Sequence, residues 1–184
     1  MQQRQGQILI SSTDMLDPNF HQTLTLLVKH DEQGALGLTL NRPLEIDFKD
    51  AWAQVADSPC NYTGPLMLGG PCEGPLMVLH DNIQYAEETV MEGVYFTTEP
   101  EDIAYLLEHH TGQIKCFTSY SGWGPLQLEG ELEIGSWVTI DATPNLIFND
   151  NPSNQWMEIL KKINPGQATI YQNPDLLNND PNLN

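Results

Sequence analysis

The chain has 184 residues, 40% of them apolar, and sets seven Lys and Arg against 25 Asp and Glu, for a formal net charge of −18. That length fits one domain burying roughly 70% of its unfolded surface, so the fold needs no disulfide staples. The charge has the wrong sign for nucleic acid, where affinity comes from cations that replace phosphate counterions, and it disfavours anionic membranes.

In chain order, Gln7 to Ser12 predicts a first strand and Asp14 to Phe20 a turn around Pro18. Gln22 to His30, rich in Thr, Leu and Val, predicts a strand. Asp31-Glu32-Gln33-Gly34 has the composition of a turn joining it to Ala35 to Asn41 as a hairpin. Phe48 to Ala56 has helical apolar spacing, with Asp47 as its cap. Ser58 to Pro65 is a loop. Leu66 to Leu68 and Leu76 to His80 are short strands around the Gly69-Gly70-Pro71 break, and Val94 to Thr97 is another. Thr98 is expected to cap a helix opened by Pro100 and stopped by Gly112. Ile114 to Tyr120 predicts a strand that runs into the glycine-aromatic corner Ser121-Gly122-Trp123-Gly124-Pro125. Leu126 to Ile134 follows as a short helix, although its alternation also permits a strand. Trp137 to Ile140 and Leu146 to Phe148 are read as strands, and Asn151 to Ile163 as the last helix. Residues 1–163 then form one domain, and the Asn- and Pro-rich stretch 164–184 is expected to be a mobile tail.

The hairpin implies antiparallel pairing while strands and helices interleave, so the fold class is α+β: a mixed, strongly bent sheet with helices around it. No apolar run approaches the roughly 20 residues that cross a bilayer. The segment MQQRQGQILISS is neither long nor apolar enough for a signal peptide. The expectation is a soluble cytoplasmic protein. Cys60, Cys72 and Cys116 have no CxxC spacing and read as free thiols, with no zinc pattern among them.

An ordered set of landmarks carries a resemblance. Gly6-Gln7-Ile8-Leu9-Ile10 is followed by Asp17-Pro18-Asn19-Phe20, His30-Asp31-Glu32, Gly34-Ala35-Leu36-Gly37-Leu38 and Asn41-Arg42-Pro43. Gly69-Gly70-Pro71, Leu79-His80, Gly122-Trp123-Gly124, Gln127-Leu128-Glu129, Trp137 and the segment Phe148 to Trp156 complete it. Together they resemble the bacterial AlgH/YqgE family over about Gly6 to Ile163. The resemblance implies a mixed sheet that partly curls into a small barrel. It also brings the family's transcriptional-regulator designation, linked by name to control of alginate synthesis. Two positions depart from the pattern. Ser119-Tyr120-Ser121-Gly122-Trp123 stands where the family has Gly-Tyr-Ala-Gly-Trp, and Leu126 stands where it has Gly before Gln-Leu-Glu.

Each candidate for chemistry has a structural counterpart. Ser121 is not a nucleophile elbow, which needs glycine two residues to either side. Gly69 and Gly70 lie in a loop without the Lys and Ser/Thr of a phosphate cradle, so they read as a connection needing positive φ. Cys72 in the same turn is a candidate redox thiol with few cations to activate it. Arg42, after Asn41 at a strand end, either clamps a ligand carboxylate or phosphate or pairs with one of the acids. His80 reads as a hydrogen-bonded structural residue, a base or a ligand. His30-Asp31-Glu32 reads as a solvated turn, and His109-His110 as a contact with a helix dipole. Tyr120, Gly122 and Trp123 form either a ligand platform or a core anchor.

No catalytic, metal or cofactor constellation is complete. The leading expectation is a non-enzymatic regulatory or binding protein acting through a protein or small-molecule partner, without direct DNA contact. The alternative is an enzyme or sensor for a small anionic metabolite. It requires Arg42, His80 and the Tyr120–Trp123 corner to share one pocket. A third expectation, an interaction scaffold, requires a contiguous exposed apolar patch.

Overall fold

The computed structural model describes residues 3–56 and 58–172. Ten strands form two five-stranded sheets. In the first, β1 (Gln7–Ser11), β2 (Leu24–Asp31), β3 (Gly34–Thr39), β9 (Ser121–Trp123) and β10 (Trp137–Asp141) lie in the order β10-β1-β2-β3-β9, all antiparallel. In the second, β4 (Leu66–Leu68), β5 (Met77–His80), β6 (Glu88–Met91), β7 (Val94–Thr97) and β8 (Ile114–Thr118) lie in the order β4-β8-β5-β7-β6. Only the β4–β8 pair there is parallel. The fold is α+β, and the single bent sheet expected from the sequence is realised as two sheets with no closed barrel.

Period-two side-chain alternation builds three cores. Leu24, Leu26 and Val28 of β2 face the second sheet and meet Met77, Leu79, Phe96 and Phe117 in the central core. Leu27, on the other face, joins Leu9, Trp123 and Trp137 under α3 (Gln127–Glu133). Val78 and Cys116 point outward from the second sheet against α1 (Phe48–Trp52) and α2 (Pro100–His109). One end of the central core is closed by α4 (Pro144–Ile147), α5 (Gln155–Ile163) and α6 (Pro165–Gln172), through Ile147, Trp156, Ile159 and Ala168.

The sheets are joined where Ser119, at φ 64°, turns the chain out of β8 and into β9. Gly69 lies in this seam, accepting from Thr39 N at 2.8 Å and donating to Thr118 O at 2.9 Å. A Cβ on Gly69 would sit 2.3 Å from Ser119 O, and one on Gly70 2.3 Å from Ser121 Oγ. Close backbone approach, not positive φ, is therefore what these two glycines supply.

Several expectations are corrected. The Ser121–Trp123 corner is an edge strand. Leu146 and Ile147 belong to helix α4 rather than a strand, because Thr143 caps that turn through Leu146 N and Pro144 opens it. Thr98 does not cap α2; its hydroxyl donates to Glu87. Strand β6 and the 3-10 turn at Ile83–Tyr85 had no counterpart in the sequence reading. Asn151 to Ile163 is not the last helix. The expected tail begins with α6, whose Ala168 is buried and whose Tyr171 packs on Trp156; its remainder, 173–184, lies outside the described residues. Asp47 caps α1 as expected, accepting from Lys49 N at 2.8 Å. Among the described residues no helix is long and apolar enough to cross a membrane.

Candidate functional site

Arg42 follows β3 and enters a cleft of about 470 Å³. One side of the cleft is the loop that precedes β2, and the other is the approach to α5. His21, Gln22, Asn41, Ser153 and Asn154 give it polar walls, with Trp156 and Met157 beneath. Among the described residues no carboxylate lines it. Arg42 Nη2 donates to His21 O at 2.7 Å and Pro18 O at 3.2 Å, which pins the loop. Among the described residues the ion pair expected as the structural explanation for Arg42 is not formed. Among the described residues no acid lies within 4.0 Å of the guanidinium. Arg42 thus brings to the cleft a guanidinium with no acid partner among the described residues.

The rest of the cleft is rigidly wired. Asn41 is buried; its carbonyl accepts from Leu24 N at 2.9 Å and its amide donates to Gln22 O at 2.8 Å. Gln22 is held at φ 56°, a left-handed conformation that costs a non-glycine residue roughly 1–2 kcal/mol. His21 Nδ1 faces Met15 O at 2.9 Å and so carries the proton in the neutral ring. Nε2 then accepts from Tyr171 OH at 3.1 Å, and that hydroxyl takes a bond from Gln22 Nε2 at 2.9 Å.

The other predicted residues lie elsewhere. Tyr120 pairs through its backbone with Cys72 and lines a separate cavity. Gly122 is exposed on β9, where a Cβ would meet the Tyr120 ring at 3.3 Å. Trp123 is buried; its Nε1 donates to Glu131 Oε2 at 2.9 Å, an atom that also accepts from Trp137 Nε1 at 2.7 Å. Its ring stacks on Phe20, so Trp123 is the core anchor of the two readings. Ser121 Oγ is buried on Gly69 O. His80 is fully buried in β5; Nδ1 accepts from Asn82 N at 3.3 Å, while Nε2 makes no hydrogen bond of normal geometry. Burial, reinforced by His110, holds its pKa below the usual histidine value. His80 and Trp123 line neither the Arg42 cleft nor the Tyr120 cavity, so the three-part pocket is not assembled.

A second, wider cleft of about 870 Å³ runs between the loop at Asn61 to Pro65 and the one at His110 to Gln113. His110 was expected to make a dipole contact; instead its Nε2 lies 2.5 Å from Asp81 Oδ1, while Asp81 Oδ2 accepts from Gln113 N at 3.0 Å. A Cβ on Gly112 would fall 2.3 Å from Asp81 Oδ1, so the missing side chain makes room for the pair. Nearby, burial pushes the Lys115 ammonium down to about 8 against the opposing charge of Asp150; Nζ donates to Asn149 O at 3.2 Å. This cleft is larger, but Asp150 lines it and the His110 ring is committed to Asp81. The carboxylate-free Arg42 cleft is the stronger candidate despite its size. His30 is also not the solvated turn residue expected. It is buried, facing Glu129 of α3 at 3.0 Å and accepting from Arg4 N at 3.1 Å. Asp81–His110 and His30–Glu129 join residues 29 and 99 positions apart, which no local spacing signals.

Comparison with known proteins agrees with the geometry of the fold. A model of the AlgH-like family matches residues 8–167. A UPF0301 protein of Chlorobium limicola is 34% identical over 188 residues, covering 98% of this chain and 96% of the relative. One of Streptomyces avermitilis is 32% identical, covering 97% and 94%. The solution structure of the AlgH protein from Pseudomonas aeruginosa superposes with a TM-score of 0.72 at 29% identity, covering 97% of this chain and 94% of that one. A crystal structure from Corynebacterium diphtheriae, at 16% identity and a TM-score of 0.73, shares the fold over 93% and 92%.

Proposed function

The chain belongs to the AlgH-like family, and from that premise we propose that it is a non-enzymatic binding or regulatory protein that takes a small anionic ligand at the Arg42 cleft. One observation carries the reading. In a chain of net charge −18, one arginine sits in a carboxylate-free cleft with no acid beside it among the described residues. A carboxylate or phosphate there gains charge-assisted bonds from Nε and Nη1, and the polar walls supply further contacts. Regulation by this protein runs through the ligand, or through a partner protein that senses it, and not through DNA, whose phosphates the overall charge repels. Its free thiols Cys60, Cys72 and Cys116 fit the reducing cytoplasm.

The test is native mass spectrometry of the protein taken from its own cell extract, followed by calorimetric titration of the anion so found, or of inorganic phosphate and succinate if none is retained. Arg42→Gln is compared with wild type after matching their thermal melts. Binding that disappears in the variant supports the reading. Binding that is unchanged, or no binding to wild type in either format, refutes it.

A further inference from the structure

At the other charge extreme lies a cavity of about 370 Å³ where the two sheets part. Val28 and Leu36 of the first sheet face Met77 and Phe96 of the second, and Tyr120 closes one side. A β-bulge shapes the first wall. Register in the β2–β3 pair jumps from Leu27↔Gly37 to Lys29↔Leu36, so Val28 is the extra residue. Such a bulge bends its strand and re-aims the side chains around it.

The rim is acidic. Glu87 Oε2 accepts from both Thr98 N and Thr98 Oγ1 at 2.8 Å, which fixes the carboxylate and leaves Oε1 without a bond among the described residues. Glu88 Oε1 accepts from Gln5 Nε2 at 3.1 Å, leaving Oε2 without one among the described residues. Lys29 is the one cation on this rim, and it is already paired with Asp31 at 3.5 Å. Apolar walls thus meet two carboxylates, neither of which forms an ion pair among the described residues. An anion is repelled, and a neutral apolar guest leaves both charges unused. An apolar body with an ammonium group satisfies walls and rim together. The volume falls in the range of small-molecule sites, roughly 300–1,000 Å³.

We propose that this cavity is a second ligand site, which takes a small aromatic or aliphatic ammonium compound with its body between Val28, Met77 and Phe96 and its charge at Glu87 and Glu88. It shares no lining residue with the Arg42 cleft and stands whether or not that cleft binds anions.

Three probes with one body separate the contributions: phenethylammonium, 2-phenylethanol and phenylacetate, titrated into wild-type protein by NMR. The ammonium compound is expected to bind about tenfold or more tighter than the alcohol, and phenylacetate not to bind. Perturbed signals should include those of Met77 and Tyr120. Glu88→Gln should reduce the preference for the ammonium probe. Glu87→Gln, which also loosens Thr98, is scored only by the ratio of ammonium to alcohol affinity. Leu36→Trp, which fills the cavity, should weaken both probes. Equal binding of the three probes, no binding of the ammonium probe, or an unchanged ratio in both glutamine variants overturns the proposal.

Discussion

At the scale of single residues, the two departures from the family pattern acquire a physical meaning. Ser119 and Leu126, both standing where the family has glycine, are held at φ 64° and 60°. Any residue with a Cβ is strained there, by roughly 1–2 kcal/mol, and glycine is not. Leu126 is 69% exposed and supplies no side-chain cap to α3, so little opposes the change. Leu126→Gly should therefore raise stability by about 1 kcal/mol in a denaturant melt, after glycine's extra unfolded-state entropy is set against the strain. Ser119→Gly should gain less, because the Ser119 Oγ that accepts from Gly70 N at 3.2 Å is lost. Lys115 gives a pH-dependent case. Its folded pKa of about 8 lies below the ordinary lysine value of 10.5, so between those values the unfolded chain binds more protons and stability rises with pH. Below about pH 8 the buried ammonium is charged in both states and costs the fold up to about 3 kcal/mol. Lys115→Met should accordingly stabilise the protein by about 1–2 kcal/mol at pH 7, with the advantage shrinking by pH 10. An advantage that grows with pH would contradict this account of Lys115.

At the scale of elements, the seam between the sheets is where sequence and structure part most instructively. The β2–β3 hairpin, the Asp47 cap and the amphipathic helices were legible because each is fixed by residues within a few positions of one another. Strand β9 was not. Gly122 and Gly124 look like a turn, and only pairing with β3, more than 80 positions away, makes Ser121–Trp123 a strand. The same limit applies to the cleft. Arg42 was identifiable as an isolated cation, whereas its neighbours Ser153 and Asn154 were not, since they reach it only through the packing of α5. Two glycines separate these local and distant influences. Gly70→Ala must place a Cβ 2.3 Å from Ser121 Oγ and from Tyr120 C, and should cost about 1–3 kcal/mol or more by forcing the seam apart. Gly130→Ala, in α3 with nothing within 4 Å of its Cβ, should instead gain about 1 kcal/mol from helix propensity alone. Chemical denaturation of the pair decides it; equal effects would mean that the seam yields and that its tight approach does not hold the sheets in register.

At the scale of the whole molecule, the acidity sets both stability and partners. With seven cations against 25 acids, salt bridges absorb little of the charge, since only Lys29 among the lysines and arginines pairs with an acid among the described residues. The compact state therefore carries more self-repulsion than the expanded chain. Raising NaCl from roughly 10 to 300 mM shortens the screening length from about 30 Å to well under 10 Å. The thermal midpoint should rise steadily over that range, whereas a protein held by favourable surface pairs would lose stability. The same field gives the sharpest statement about regulation. Counterion release makes duplex affinity fall with salt in proportion to the phosphates neutralised, and this surface has few cations to neutralise them. Fluorescence anisotropy with labelled duplex DNA at low salt should show no saturable binding, while the small anion proposed for the Arg42 cleft, which needs only one local positive charge, should bind under the same conditions. Salt-sensitive, sub-micromolar duplex binding by the protein alone would mean that charge distribution, rather than net charge, governs its contacts, and would return DNA to the set of direct partners.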